Sequence, residues 1–153
     1  MPTANGTANA SSTNENLLYL SKWFAIDDSL NISCFVSNKE MHPWYQLTLP
    51  EERMIHTVTI YNRKDMLGEN LRDVEIRAGF DDATKGQYPL SQINKKCAFF
   101  KGPGETGKHY EFPCEDGSIE AKYVTIQILA TEPEHLQIRE IELIEDVCRG
   151  NLL

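Results

Sequence analysis

The sequence predicts an all-β sandwich, on three observations. Short runs rich in Val, Ile, Thr and Tyr recur from Trp44 onward, separated by turn residues. Within them apolar and polar residues alternate with the two-residue period of a half-buried strand. No window sustains the 3.6-residue apolar stripe of an amphipathic helix. Several short strands with turns between them are the pattern of two packed antiparallel sheets.

The elements follow in order. Residues 1–16 are small and polar without periodicity, and read as a flexible arm or a peripheral first strand. Asn16 to Phe24, with Leu17, Leu18, Leu20 and Trp23, is the one helical candidate, of about a turn. Trp44 to Leu49 reads as a strand bounded by Pro43 and Pro50, and His56 to Tyr61 as the next, with Val58 and Ile60 inward. Val74, Ile76, Ala78 and Phe80 share one face of a third run; Val124, Ile126 and Ile128 share one face of a fourth. From Leu136 to Ile144 the inward set changes parity, from Leu136 and Ile138 to Ile141 and Leu143. That shift predicts a bulge or corner at Arg139-Glu140. One domain over residues 17–148 is expected, with a short tail at 149–153.

Charge narrows the function. Fifteen Lys and Arg against 23 Asp and Glu give a formal net charge of −8, which repels nucleic acid and anionic lipid. No run of basic residues offsets it and no apolar stretch reaches a bilayer's width, so neither nucleic-acid binding nor membrane insertion is expected. The first residues lack the basic and apolar regions of a signal peptide. Cys34, Cys97, Cys114 and Cys148 have no zinc spacing. They read either as four buried thiols or as two disulfides in one of three connectivities. Cys97 and Cys114 are the natural local pair, which leaves Cys34 and Cys148 to close nearly the whole chain. Asn5, Asn9 and Asn31 each head an N-glycosylation triplet, and with paired cysteines they point to an extracellular, secreted glycoprotein.

No enzymatic constellation emerges: G-x-S-x-G and H-E-x-x-H are both missing, and the four His have no nearby Ser or Cys at a suggestive spacing. The chain therefore reads as non-enzymatic. Gly102 to Lys108 matches G-x-x-x-x-G-K, but His109 stands where a P-loop needs Ser or Thr, and Tyr110 to Cys114 cannot open a helix. It reads as a glycine-rich hairpin loop. Ala25 to Ser33 is dense in oxygen donors, as suits either calcium or an ordinary Asx turn. Arg63, with Asp65 to orient it, presents either a fork of donors to hydroxyls or a surface salt bridge.

Several blocks in succession resemble the F-type lectins, fucose-binding members of the discoidin and coagulation-factor C-domain (galactose-binding-like) superfamily. They are Ala25-Ile26-Asp27; Pro43 to Leu49; Thr57 to Asp65 with its Asn62-Arg63-Lys64-Asp65; Asp73 to Gly79; Cys97 with Cys114; Lys122 to Thr125; and Leu136 to Leu143. The resemblance implies a jelly-roll-like sandwich of about eight antiparallel strands with binding loops at one end. It implies structural Ca2+ held by Asp27, Ser33, the carbonyls of Phe24, Ser29 and Arg139, and the Glu140 carboxylate. It implies carbohydrate binding by Arg63 and Asp65. The family's His position falls on Val36, its last basic position on Asn70, and its vicinal cysteine pair on Met66-Leu67. The partner of the Cys34 position falls on Arg139, so the resemblance leaves Cys148 as the candidate partner of Cys34. The expected function is calcium-stabilised recognition of a glycan or cell-surface glycoprotein. The competing expectation is a protein-protein or adhesion module in which Val36, Met66 and Leu67 form an apolar patch at the old site.

Overall fold

A computed structural model describes residues 6–14, 25–26, 34–86 and 93–147. Its strands are β1 (Thr7–Ala10), β2 (Phe35–Val36), β3 (Trp44–Tyr61), β4 (Val74–Gly79), β5 (Lys95–Phe100), β6 (His109–Pro113), β7 (Ile119–Ile128), β8 (Gln137–Ile138) and β9 (Glu140–Val147). Every pairing among them is antiparallel. The expected β-sandwich is what forms.

β3 organises it. Its first half pairs with β1 and β7, continuing through β4 to β5, and its second half pairs with β9 and β6. The two strands expected at 44–49 and 56–61 are therefore one strand of 18 residues. Pro50 does not end it, because the β3–β7 register shifts between Thr48 and Arg53. A residue without an N–H is tolerated where the ladder is already interrupted. The inward residues are those the alternation selects: Val58, Ile60, Val74, Ile76, Ala78, Val124, Ile126, Ile128, Leu136, Ile138, Ile141 and Leu143 are all buried. Phe80 is not; β4 stops at Gly79, and Phe80 is 50% exposed. The parity change at Arg139-Glu140 separates β8 from β9.

Residues 7–10 take the strand alternative, so the sheet begins ahead of the expected domain start at residue 17. The glycine-rich segment 102–108 is not a hairpin: β5 pairs with β4 while β6 pairs with β3, so the segment crosses between them. Cys97 and Cys114 form the expected disulfide across this crossing, 17 positions apart. Among the described residues the Cys34 thiol is free, buried at 1% exposure and clustered with Val36; its expected partner lies outside them. The helix candidate at 16–24, Asn5, Asn31 and Cys148 lie outside the described residues.

Candidate functional site

β3 ends at Tyr61 and delivers Asn62 and Arg63 to one end of the sandwich. Arg63 is 8% exposed and held from two sides. Its Nε donates to Asp65 Oδ1 at 2.6 Å and its Nη2 to Asp65 Oδ2 at 3.2 Å, a bidentate pair. Its Nη1 donates to Gln137 Oε1 at 2.8 Å. Gln137, on β8 and also buried, passes the restraint on by donating from Nε2 to the Leu67 carbonyl at 2.8 Å. The planar fork is thus fixed in direction, as two parallel hydrogen bonds to one carboxylate require. Arg63 holds the Asp65 carboxyl below its ordinary pKa by hydrogen bonding, against the opposing effect of burial.

Asn62 fixes the loop from beneath. It is fully buried, its Oδ1 accepts from the Arg63 amide, and its Nδ2 donates to the carbonyls of Gly68 and Glu105 at 2.8 and 3.0 Å. The glycine-rich crossing is the buttress. Gly107 N donates to Arg63 O at 2.7 Å, Gly104 N to Leu71 O at 2.8 Å, and Gly68 N to Thr106 Oγ1 at 2.9 Å. A Cβ on Gly68 would stand 2.2 Å from the Thr106 amide, so the two loops approach as closely as they do only because residue 68 has no side chain. The stretch that mimicked a phosphate loop holds the arginine loop in place.

The remaining site residues divide. Val36 is 2% exposed and pairs with Gln137, so it backs the arginine loop instead of joining an exposed apolar patch. Met66 and Leu67 are exposed, at 51% and 45%, and Leu67 has φ 57°, a left-handed conformation that costs a branched side chain. Asn70 closes a single 3-10 turn, Gly68–Asn70, on the same loop, with its amide donating to Leu67 O. Cys34 lies behind this assembly: burial raises its pKa to about 11, with Arg63 and Arg139 lowering it and Asp65 raising it. Gln137 and Asn62 were not among the expected binding residues. Asn62 sat inside the quoted Asn62-Arg63-Lys64-Asp65 block, while Gln137 carried no local sign of its role.

Of the expected calcium set, Arg139 and Glu140 are described; Phe24, Asp27, Ser29 and Ser33 lie outside the described residues. Glu140 is 1% exposed, its Oε1 accepting from the Ile141 amide at 3.3 Å. A carboxylate withdrawn from water this far must be balanced by cations or donors, and it suits a hard cation that takes oxygen ligands. Arg139 donates from its amide to Tyr61 O and from Nε to Asn62 O, so the corner before Glu140 is fixed to the end of β3. Among the described residues, no three His, Cys, Asp or Glu gather as a metal cluster, and no helix is long and apolar enough to cross a membrane.

Comparison with known proteins places this arrangement. A family model described as a NedA-like, galactose-binding domain matches residues 24–126. The chain belongs to that family. Among the curated relatives of this galactose-binding-like domain, fucolectin-1 of Anguilla japonica is 32% identical over 125 residues, 78% of this chain and 65% of the relative. The pentraxin fusion protein of Xenopus laevis is 31% identical over 113 residues, 74% of this chain and 25% of the relative. The chain thus spans a quarter of one relative and just under two thirds of the other. The F-lectin, or fucolectin, of striped bass (Morone saxatilis) serum superposes with a TM-score of 0.80 at 23% identity, covering 92% of this chain and 47% of that one. The F-type lectin and discoidin-like resemblance read from the sequence is what these comparisons show.

Proposed function

We propose that this domain is a non-enzymatic recognition module that binds carbohydrate at the Arg63 loop. One observation carries the reading: the guanidinium of Arg63 is fixed by the Asp65 carboxylate and by Gln137 before any ligand arrives. Preorganised donors cost less ordering when they meet hydroxyls, which is what a weakly apolar, hydroxyl-rich ligand needs. The exposed Met66 and Leu67 beside it suit the apolar face or methyl group of a fucose-type sugar. The names of the fucolectin relatives support a fucosylated glycan, or a cell-surface glycoprotein bearing one, as the partner. Structural calcium at Glu140 and Arg139, completed by the expected ligands at Phe24, Asp27, Ser29 and Ser33, belongs to the same proposal. So does an extracellular setting, supported by the Cys97–Cys114 disulfide. Asn9 lies on the edge strand β1 next to the buried Ala8, so strand alternation turns it to the outer face, where a glycan has room.

A glycan array with and without calcium tests the reading. Fucosylated hits that disappear in Arg63→Ala, and in Arg63→Lys as a better-folded control, are the expected result. A blank array from folded wild-type protein overturns it, and favours a protein partner docking on the exposed Met66-Leu67 tip. Calcium is tested separately: it should raise the Tm, and Glu140→Gln should abolish the rise. An unchanged Tm with chelator removes calcium from the proposal.

A further inference from the structure

We infer that a cavity on the outer face of the β3–β7–β4 sheet is a second ligand site, separate from the Arg63 loop, and that it takes a neutral pyranoside. The cavity measures about 620 Å³, within the range of small-molecule sites, and Phe80, Asp81, Asp82, Lys85, Ile93 and Tyr123 line it. Tyr45, Leu47, Val124 and Ile126 point into the core, so Gln46 and Tyr123 point outward, to the side on which the cavity lies. β4 begins beside the Arg63 loop, where Leu71 O accepts from Gly104 N and Asp73 N donates to Lys101 O. The cavity opens past the other end of β4, at Gly79, about 17 Å along the strand from Val74. One sugar ring cannot reach both places.

The wall of the cavity is held in place by buried groups. Gln46 is fully buried beneath it and uses both ends of its amide on residues 82 and 83. Its Oε1 accepts from the Ala83 amide at 2.7 Å, and its Nε2 donates to Asp82 Oδ1 at 2.9 Å. The same Oδ1 accepts from the amide and the hydroxyl of Thr84, at 2.9 and 2.7 Å, which caps the 3-10 turn Ala83–Lys85. On the other side Asn94 clasps Asp81, accepting from its amide and donating to its carbonyl, both at 2.9 Å. Asn94 fits there because Gly79 has no side chain: a Cβ would stand 2.2 Å from its Oδ1. Ala83 and Ile93 pack against Trp44 below.

The groups that face the cavity are those a sugar ring needs. Phe80, which strand alternation assigns to the core, stands half-exposed on its rim. The rings of Phe80 and Tyr123 offer apolar faces to the C–H face of a pyranose. Among the described residues, the Asp81 carboxylate, Asp82 Oδ2, Lys85 Nζ and the Tyr123 hydroxyl have no hydrogen-bond partner. Burial acts to raise the Asp82 pKa, but hydrogen bonds from Gln46 and Thr84 outweigh it and hold the carboxyl below its ordinary 3.8. It therefore meets a ligand as an acceptor. The two carboxylates repel an anion, and the Lys85 ammonium opposes a cation. A neutral ligand whose hydroxyls donate to the carboxylates and accept from the ammonium satisfies both signs at once.

Protein-observed NMR titration with the methyl glycosides of D-galactose, D-glucose, D-mannose and L-fucose tests this on the full chain. The expected result is a saturable shift of the amides of Phe80 to Gly86 and of Tyr123 with at least one glycoside, retained in Arg63→Lys. Phe80→Ser and Lys85→Met, both at exposed positions, should each weaken that binding about tenfold at unchanged Tm. No saturable shift at these amides with any of the four overturns the inference. So does wild-type affinity at the cavity in both variants. Shifts confined to residues 62–70 and 104–107 overturn it and leave the carbohydrate reading of the Arg63 loop standing. Shifts at the cavity with none at that loop support it and count against that reading.

Discussion

Arg63 and Gln137, 74 positions apart in sequence, share a buried hydrogen bond of 2.8 Å that ties the end of β3 to β8. Gln137 also holds the Leu67 carbonyl, so one amide joins the arginine to the tip of its own loop. Replacing it with Leu keeps the bulk and removes both bonds. We expect Gln137→Leu to cost about 2 kcal/mol, since it strands a guanidinium N–H and a carbonyl. Glycan affinity should fall alongside. Urea titration and the array measure the two effects; wild-type stability would show that water replaces the amide without loss.

The Arg63–Asp65 pair sets a pH dependence. Hydrogen bonding from Arg63 lowers the Asp65 pKa from its ordinary 3.8. A depressed carboxyl contributes stability that is fully present above 3.8 and lost as pH falls through the lower folded value. Asp65→Asn should therefore lower the Tm at neutral pH and make the acid limb of the Tm profile shallower below 3.8. A profile parallel to wild type throughout would mean the pair contributes nothing net.

Much of the sandwich was legible because its interior obeys a two-residue period. Val74, Ile76 and Ala78, or Val124, Ile126 and Ile128, need no partner in view to be assigned inward. β5 and β6 were not legible: Lys95-Lys96-Cys97-Ala98-Phe99-Phe100 has no alternation, and only pairing with β4 and disulfide closure make it a strand. The continuity of β3 through Pro50 was hidden for the converse reason, a local strand breaker placed where the ladder already shifts. Arg63 and Asp65 announced themselves as a local pair within a family block. Gln137 and the 102–107 buttress act across the fold, and nothing in their own neighbourhoods encodes that.

The buttress makes a sharp steric prediction. Gly68→Ala places a methyl 2.2 Å from the Thr106 amide, against backbone that cannot yield as a flexible side chain would. Overpacking of this kind costs about 1–3 kcal/mol. The strain falls on the segment that holds Asn62, Leu71 and Arg63 in register. Both Tm and glycan affinity should drop, whereas Gly107→Ala, whose Cβ meets nothing within 4 Å but whose φ is +81°, should strain the turn without pressing on Thr106. Equal behaviour of G68A and wild type would refute the close approach.

The free thiol at Cys34 gives the last prediction. Burial raises its pKa to about 11, so at pH 8 only about one molecule in a thousand carries thiolate there, and that thiolate is shielded from solvent. Iodoacetamide should leave Cys34 unlabelled in the native protein and label it once the chain is unfolded without reductant. Cys97 and Cys114 should stay unlabelled until reduced, and replacing both with Ser should cost about 3 kcal/mol for the loop they close. Peptide mapping reads all three sites at once. Failure of unfolded, unreduced protein to label at Cys34 would show that it is bridged after all, which would place the second disulfide directly behind the Arg63 loop and make that loop's geometry depend on oxidation.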